Sequence, residues 1–217
     1  MCGRYSIGAE IQALAKQLDN QVPRGFSPNF NAAPSQELPI VPNHKPSSFT
    51  LFQWGIVPFW AKEEKKRLIN ARSETILEKA TFKKAFQHRR CLVAAGGYYE
   101  WMKTKEGKIP YRICLKDEKP FVFAGIWEHN QQSGQGDFCI ITTAASPSVA
   151  HIHNRMPVIL ASEAIDFWLS DSEDYEGLQD ILRPTEDALL KAYPVSRQVN
   201  NVQNNNASLI APQNEPV

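Results

Sequence analysis

Apolar residues recur first at helical spacing and then at strand spacing. One face of a predicted helix over residues 8–20 carries Ile11, Leu14, Ala15 and Leu18. From Glu37 onward the apolar runs are short and rich in β-branched and aromatic residues. Two such runs, Leu38–Val41 and Phe49–Trp54, predict strands, because proline and asparagine turn formers separate them.

The middle of the chain predicts a series of strands, followed by helices. The predicted strands are Cys91–Ala95, Tyr98–Met102, Tyr111–Leu115, Phe121–Trp127, Phe138–Thr142 and Pro157–Leu160. The predicted helices are a broken one or two short ones over Ser73–Arg90, then Ser162–Ser170 and Tyr175–Leu182. Connections this short favour antiparallel pairing, since parallel crossovers need a dozen or more residues. The pattern predicts an α+β fold with a mostly antiparallel curled sheet or incomplete β-barrel flanked by helices.

The composition is that of one globular domain. With 217 residues, 42% hydrophobic and 22% charged, the chain can bury a substantial core. We expect a single domain over residues 1–217, with the Asn-rich residues 200–217 as a loosely ordered tail. The sequence contains neither an apolar run of about 18 residues nor a secretory signal pattern. These features predict a cytoplasmic protein, nucleoid-associated if bacterial, with no membrane segment.

The net charge and the cysteines exclude few functions. A net charge of +1 neither demands nor excludes nucleic acid, because a phosphate-binding groove needs only a local cluster of cations. The four cysteines are widely spaced and form no C-x-x-C pair, which argues against a zinc ribbon and a disulfide framework. Three of them, Cys91, Cys114 and Cys139, sit in apolar runs typical of a core. The fourth is Cys2.

Cys2 becomes the amino-terminal residue if Met1 is removed. It would then be a 1,2-aminothiol, whose amine condenses with an aldehyde to a Schiff base and whose thiol closes a five-membered thiazolidine. Both groups have a nucleophilic fraction near neutral pH. The alternative is an ordinary second residue without a chemical role.

A carboxylate lies within an aromatic run at Gly96–Trp101. In a strand, Tyr98 and Glu100 share one face while Tyr99 and Trp101 share the other. Burial among aromatic rings raises the pKa of a carboxyl group, which suits general acid–base catalysis. The alternative is a solvated glutamate on an edge strand.

Two further polar segments are candidates for the same site. His151 and His153 lie in a short loop, where proton transfer is a better reading than metal binding because two ligands make an incomplete site; a structural histidine is the alternative. In Ile69–Thr75, a helix cap explains Ser73 but not Asn70 or Arg72, and an arginine can grip a phosphate.

The run Trp54–Trp60 is aromatic and is followed by cations. These are Lys62, Lys65, Lys66 and Arg67. Aromatic faces that stack on bases, beside cations that follow phosphates, are the two elements of single-strand recognition. The alternative is a set of core aromatics followed by a solvated loop.

Six motifs together resemble the SRAP family, the SOS-response-associated peptidases or abasic-site processing proteins. They are Met1–Tyr5, Phe30–Pro34, Trp54–Trp60, Ile69–Thr75, Gly97–Trp101 and His153–Pro157. Each motif alone is weak, but the set covers nearly the whole chain in order. The resemblance implies a sensor of abasic sites in single-stranded DNA that forms a covalent thiazolidine crosslink through mature Cys2 and shields the lesion.

The resemblance also implies roles for individual residues. Glu100 would move protons during sugar-ring opening and thiazolidine closure, Asn70 would hold the cysteine or sugar, and His153 would act at the Schiff-base stage, including crosslink reversal or strand cleavage. Phosphates would be held by Arg4, Arg72 and Arg155. The DNA channel would be lined by Asn31, Pro34, Phe59, Trp60, Trp101 and Thr142.

The implied substrate is a kinked single strand at a duplex junction. We expect a monomer without metal or other cofactor, recruited by replication-fork proteins. Two alternatives remain open. One is a cysteine peptidase acting on other peptides, with Cys2 activated by His153. The other is a single-stranded DNA-binding module in which Arg72 and Trp60 matter but Cys2 does not.

Overall fold

Short strands dominate the chain. The computed structural model describes residues 2–61, 67–130 and 133–213. The strands are β1 (Tyr5–Ile7), β2 (Asn29–Ala32), β3 (Glu37–Pro42), β4 (Thr50–Trp54), β5 (Asn70–Arg72), β6 (Arg90–Ala95), β7 (Gly97–Thr104), β8 (Gly107–Leu115), β9 (Phe121–His129), β10 (Gly136–Ala144), β11 (Arg155–Pro157) and β12 (Leu190–Pro194). The α-helices are α1 (Ile11–Gln17), α2 (Ala80–His88), α3 (Pro147–Ala150), α4 (Ile165–Leu169) and α5 (Tyr175–Asp180). Short 3-10 helices lie at Ser73–Thr75, Ser162–Ala164, Asp187–Leu189, Arg197–Asn200 and Ala207–Ile210.

The larger sheet closes on itself. Its strand order is β11-β10-β4-β3-β6-β9, and β9 pairs in turn with β10. Most of these ladders are antiparallel, but β10 runs parallel to β4 and, further along, to β5. This confirms the predicted α+β fold with a curled, mostly antiparallel sheet. The two parallel ladders join segments far apart in the chain, which is why the short local connections did not predict them.

The smaller sheet carries the amino terminus. Its strand order is β12-β8-β7-β1-β2, and every described pairing in it is antiparallel. Strands β7 and β8 form a long hairpin whose turn ends at Gly107, where φ is +130° and a side chain would be strained. On the other side of β7, Tyr5 of β1 lies opposite Tyr98. This register carries the residues before Tyr5 along the second half of β7.

Helices cover the sheets through short apolar faces. The predicted first helix is confirmed as α1, with Ile11, Leu14 and Ala15 buried. Burying a leucine- or isoleucine-sized side chain stabilises the fold by about 1.5–3 kcal/mol, so α1 is held by packing more than by its seven-residue length. The main core runs from Cys2 to Leu190. No helix within the described ranges is long and apolar enough to cross a membrane.

Two local predictions differ from the structure. Ser73 does not cap a helix: Arg72 occupies the cap position of the 3-10 turn, no side chain caps it, and Ser73 is buried. The strand expected at Pro157–Leu160 is instead the short β11, while Ile159 makes only an isolated bridge to Phe123.

The Asn-rich segment lies against the small sheet over its described part. Tyr99, Val195, Val199 and Leu209 form a second, smaller apolar cluster. Leu209 is fully buried there. Asparagine side chains cap the local turns, as Asn206 does by accepting from Ser208 N. Over residues 200–213, the asparagine residues from which a loose tail was predicted instead form and cap turns.

Candidate active site

Cys2 lies in the core at the start of the small sheet. Its side chain is fully buried, and its Sγ is 3.9 Å from the carbonyl oxygen of Arg4. The backbone N–H of Tyr99 donates to the same carbonyl at 2.9 Å, so the chain before Tyr5 runs beside Glu100. Burial raises the pKa of the Cys2 thiol, and the Glu100 carboxylate raises it further. The thiol is therefore uncharged at neutral pH.

Glu100 is buried on the same stretch of β7. Its side chain is only 4% exposed, which excludes the solvated edge-strand alternative. Burial raises its pKa from 4.5 to about 7. Tyr98, on the same face of β7, is also buried, and electrostatic interaction with Cys2 and Glu100 adds to the rise in the pKa of its phenol. A carboxyl group with this pKa can both give and take a proton near neutral pH.

Asn70 and Arg72 share one face of β5. This strand pairs in parallel with β10, with Asn70 opposite Ile140 and Arg72 opposite Thr142. The Asn70 amide reaches the Ile140 carbonyl at 3.5 Å, and its buried Oδ1 accepts no hydrogen bond from the described residues. Arg72 is exposed. The strand therefore supplies a half-buried amide group with a buried oxygen and one exposed cation.

His153 and Arg155 lie at the start of β11. Both backbone groups of Arg155 face His153 Nδ1: the N–H lies 3.0 Å from it and the carbonyl oxygen 3.3 Å. Burial lowers the pKa of His153, so the neutral ring is favoured at pH 7. The Arg155 guanidinium donates to both carboxylate oxygens of Glu74 and to the Thr142 carbonyl oxygen. The hydrogen bond from Arg155 also lowers the pKa of Glu74.

Arg4 joins the amino terminus to the Asn-rich segment. It donates to Asn31 Oδ1 at 2.7 Å and to the Val199 carbonyl at 2.8 Å. Its guanidinium also lies 5.9 Å from the centre of the Trp101 ring, within cation–π range. Trp101 in turn donates to Asn200 Oδ1 at 2.7 Å. Arg4 and Trp101 are thus held by the same segment.

The exposed aromatic residues lie on the loop after β4. Phe59 is 81% exposed and Trp60 54%, whereas Trp54 is fully buried. The Trp60 indole donates to Thr81 Oγ1 at 3.3 Å, and Pro34 is half-buried. Trp54 is therefore a core aromatic residue, as the alternative interpretation of this run had it, whereas Phe59 and Trp60 are exposed. Three of the predicted cations, Lys62, Lys65 and Lys66, lie outside the described residues, as does Met1.

Two predicted channel residues are fully buried. Asn31 donates from its amide to the carbonyls of Val199, Asn201 and Asn204. Thr142 donates to the Ala71 carbonyl at 3.3 Å. Both side chains are occupied in holding neighbouring segments together, so neither faces solvent. Elsewhere in the described ranges, no three His, Cys, Asp or Glu side chains cluster as metal ligands.

Comparison with known proteins identifies the family. The family model described as "SOS response associated peptidase (SRAP)" matches residues 1–202. The chain belongs to the SRAP family. Among SRAP relatives, the Abasic site processing protein YoqW of Bacillus subtilis is 38% identical over 221 residues, covering 97% of this chain and 99% of that protein. The Abasic site processing protein YedK of Escherichia coli is 31% identical, covering 98% of this chain and all of YedK.

Two further matches, one in sequence and one in structure, also cover nearly the whole chain. The Abasic site processing protein HMCES of Gallus gallus is 30% identical, with 98% of this chain and 78% of that protein covered. An X-ray structure of a protein from Bacteroides thetaiotaomicron superposes with a TM-score of 0.86 at 27% identity, covering 98% of this chain and all of the other.

Some contacts around the SRAP site were not predicted from the sequence. Glu74, which lies within the Ile69–Thr75 motif, is the ion-pair partner of Arg155. Tyr5, packed against Trp54, has a phenol pKa raised by burial and by Cys2. Tyr5 follows the reactive motif directly, a signal that could have placed it beside Cys2. The pairing of Glu74 with Arg155 spans 81 residues and leaves no local signal.

Proposed function

We propose that this protein captures abasic sites in single-stranded DNA through a covalent bond to Cys2 after removal of Met1. The observation that carries the proposal is the burial of Cys2 beside Glu100, whose pKa is raised to about 7. Relatives that cover nearly the whole chain are named abasic site processing proteins, which supports the same substrate and a DNA-processing role.

The chemistry proceeds in two bond-forming steps. The Cys2 amine adds to the aldehyde of the ring-opened sugar and loses water, which gives a Schiff base. The thiol then adds across the C=N bond: a C–S bond forms, the thiol proton leaves sulfur, and the nitrogen gains one. Because burial keeps the Cys2 thiol protonated, the second step needs a nearby base. Glu100 takes this role, since its pKa of about 7 lets it accept and return the proton.

The remaining site residues act around these steps. Asn70 offers a buried amide oxygen to hold Cys2 or the sugar. His153, favoured as the neutral ring, exchanges protons at the Schiff-base stage, including crosslink reversal and β-elimination of the strand. Asn70 lies on β5 and His153 shortly before β11, and both strands pair with β10.

Cations and exposed aromatic rings bind the DNA strand on either side of the lesion. Arg72 and Arg4 bind phosphates on either side of the lesion, and Arg155 does so by exchanging its Glu74 partner for a phosphate. Phe59 and Trp60 stack on bases at a junction of single and double strand. The protein works as a monomer and meets its substrate at replication forks.

The peptidase alternative is weakened by the same electrostatics. A cysteine nucleophile of that class needs a lowered thiol pKa, usually beside an imidazolium. Here burial and Glu100 raise the thiol pKa of Cys2, and burial lowers the pKa of His153. An ion pair of thiolate and imidazolium is therefore disfavoured at neutral pH.

Covalent capture is tested on a denaturing gel. The purified protein is mixed with a single-stranded oligonucleotide that contains one abasic site, and the intact mass of the free protein is measured in parallel. We expect a shifted band that is absent with Cys2→Ala and with an undamaged oligonucleotide. Cys114→Ala, which removes another buried thiol, is the matched control and should retain the band. No band from protein that lacks Met1 would refute the proposal.

A further inference from the structure

The exposed aromatic loop is closed at its base by backbone contacts. Ile56 and Leu68 exchange two backbone hydrogen bonds, of 3.0 and 2.8 Å, on either side of the loop that carries Phe59 and Trp60. Phe59 is 81% exposed and Trp60 54%. Phe59 in particular gains little folding energy from burial at this exposure, and Trp60 is held outside the loop by its hydrogen bond to Thr81, so the placement of the two rings depends largely on the loop that carries them.

A buried ion pair lies at the same base. Asp137 of β10 is 1% exposed and accepts from Arg67 at 3.0 Å through Oδ1. Its Oδ2 accepts from the backbone N–H of Val57 at 3.4 Å. Arg67 also donates to the Gly55 carbonyl at 2.7 Å. The Asp137 carboxylate on β10 thus contacts Val57 and Arg67, which lie before and after the exposed aromatic residues Phe59 and Trp60.

The carboxylate is itself fixed from the other side. Asn130 donates from its amide to Asp137 Oδ2 at 3.0 Å. Gly55 makes room for the arginine: it has φ of +117°, and a Cβ placed there would lie 2.8 Å from Arg67 Cβ. The arrangement therefore depends on several residues that the covalent chemistry does not use.

Stability alone is a weak reason for this arrangement. A buried ion pair often contributes little net stability, because desolvation offsets the attraction. Its geometry, in contrast, restricts the two ends of the loop to one spacing, and a rigid support lowers the entropy cost of presenting a side chain to a ligand.

We infer that Asp137 and Arg67 are positioning residues that hold Phe59 and Trp60 for stacking on the bases at the junction of single and double strand beside the lesion. This inference rests on the proposed function. On this inference, the preference for a junction of single and double strand depends on Asp137 and Arg67 and not on the Cys2 chemistry. Losing one well-placed stacking contact corresponds to about a tenfold loss of affinity.

The test separates binding from chemistry. Crosslinking rates are measured against protein concentration for two abasic oligonucleotides, one single-stranded and one with a duplex beginning beside the lesion. For Asp137→Asn we expect the half-saturating concentration on the junction to rise about tenfold. On the single strand it should change much less, and the limiting rate should be retained on both.

A double-mutant cycle shows whether the loop transmits the effect. In a Phe59→Ala, Trp60→Ala background, Asp137→Asn should add no further loss, because the side chains it positions are gone. Losses that multiply independently, or an equal loss on both oligonucleotides, would overturn the inference. Glu128→Gln is the matched control: it breaks the Arg89–Glu128 ion pair directly across from Asp137 on β9 and should leave the junction preference unchanged.

Two further measurements keep the outcomes distinct. If Asp137→Asn does not fold, Arg67→Met and Arg67→Lys are measured in its place. Arg67→Met should then lose the junction preference fully, whereas Arg67→Lys should retain part of it. Junction binding without crosslinking is measured by fluorescence anisotropy in a Cys2→Ala background. Absence of any crosslink from wild-type protein lacking Met1 would refute the proposed function, whereas normal capture with an unaltered junction preference in Asp137→Asn would refute the positioning role alone.

Discussion

Glu100→Gln tests how much the ionised, buried carboxyl group of Glu100 destabilises the fold. The pKa of Glu100 is raised from 4.5 to about 7 by burial, at 4% exposure. Between these two pH values the folded protein holds a proton that the unfolded chain has lost. The contribution of Glu100 to stability is therefore fully present below pH 4.5 and is lost as pH rises to about 7.

The magnitude follows from the size of the pKa shift. At about 1.4 kcal/mol for each pH unit, the rise from the ordinary value to about 7 corresponds to about 3 kcal/mol of lost stability at pH 8. Glutamine resembles the protonated acid in shape and does not ionise, so it avoids this loss. We expect Glu100→Gln to unfold with a free energy about 3 kcal/mol higher than wild type at pH 8, but less than about 1 kcal/mol higher at pH 5.

Urea denaturation at pH 5 and pH 8 measures the difference, with both proteins checked for the same amino-terminal mass. Glu74→Gln is a control of opposite sign. Its hydrogen bond from Arg155 lowers the pKa of Glu74, so that group stabilises the fold above its unfolded pKa and loses the contribution as pH falls. Glu74→Gln should therefore be less stable than wild type at pH 8. If Glu100→Gln is no more stable than wild type at pH 8, the reasoning about burial is refuted.

Three further substitutions separate binding residues from supporting ones. Arg72→Ala should leave the melting temperature unchanged and reduce the slope of log affinity against log salt for single-stranded DNA by about 0.7, measured by anisotropy titration, because an exposed phosphate contact is lost. Asn31→Ala should destabilise the fold by about 2 kcal/mol or more in urea and speed amide exchange over residues 199–210, because the Asn201 and Asn204 carbonyls lose the Asn31 donor while the Val199 carbonyl retains the one from Arg4. Arg90→Leu should cost about 3 kcal/mol or more in the same assay, because the buried guanidinium donates to carbonyls at the ends of α2 and α4.

The long central strands were predictable because each is an apolar run with turn formers at both ends. Strands β6 to β10 lie where those runs predict them. The three-residue β1 and four-residue β2 were not predicted, since their strand state comes from pairing with each other and with β7. Closure of the large sheet through β9 and β10 likewise depends on register, which a single sequence does not specify.

The site was predictable where neighbours in the chain set the environment. Glu100 is flanked by aromatic residues, which suggested its burial as one of two alternatives, and the structure shows it buried. The family resemblance implied that Asn31 and Thr142 line the DNA channel, which stays a prediction; in the structure both side chains donate to backbone carbonyls. For Asn31 those partners lie about 170 residues away, on the segment expected to be loose. A long-range contact of this kind requires the fold.

In the proposed function, burial separates the groups that react from the groups that bind DNA. Inside the site it keeps the Cys2 thiol protonated, brings the pKa of Glu100 to about 7 and favours the neutral ring of His153. An aldehyde is attacked by neutral amines and by thiols whose proton a base removes, so an interior of this kind suits the chemistry. The permanent charges lie outside this interior: Arg72 is exposed, and Arg4 donates to two neutral oxygen atoms and lies over the Trp101 ring. In the proposed function these cations bind phosphates, so the strand is held outside the site while its lesion enters an interior with little fixed charge.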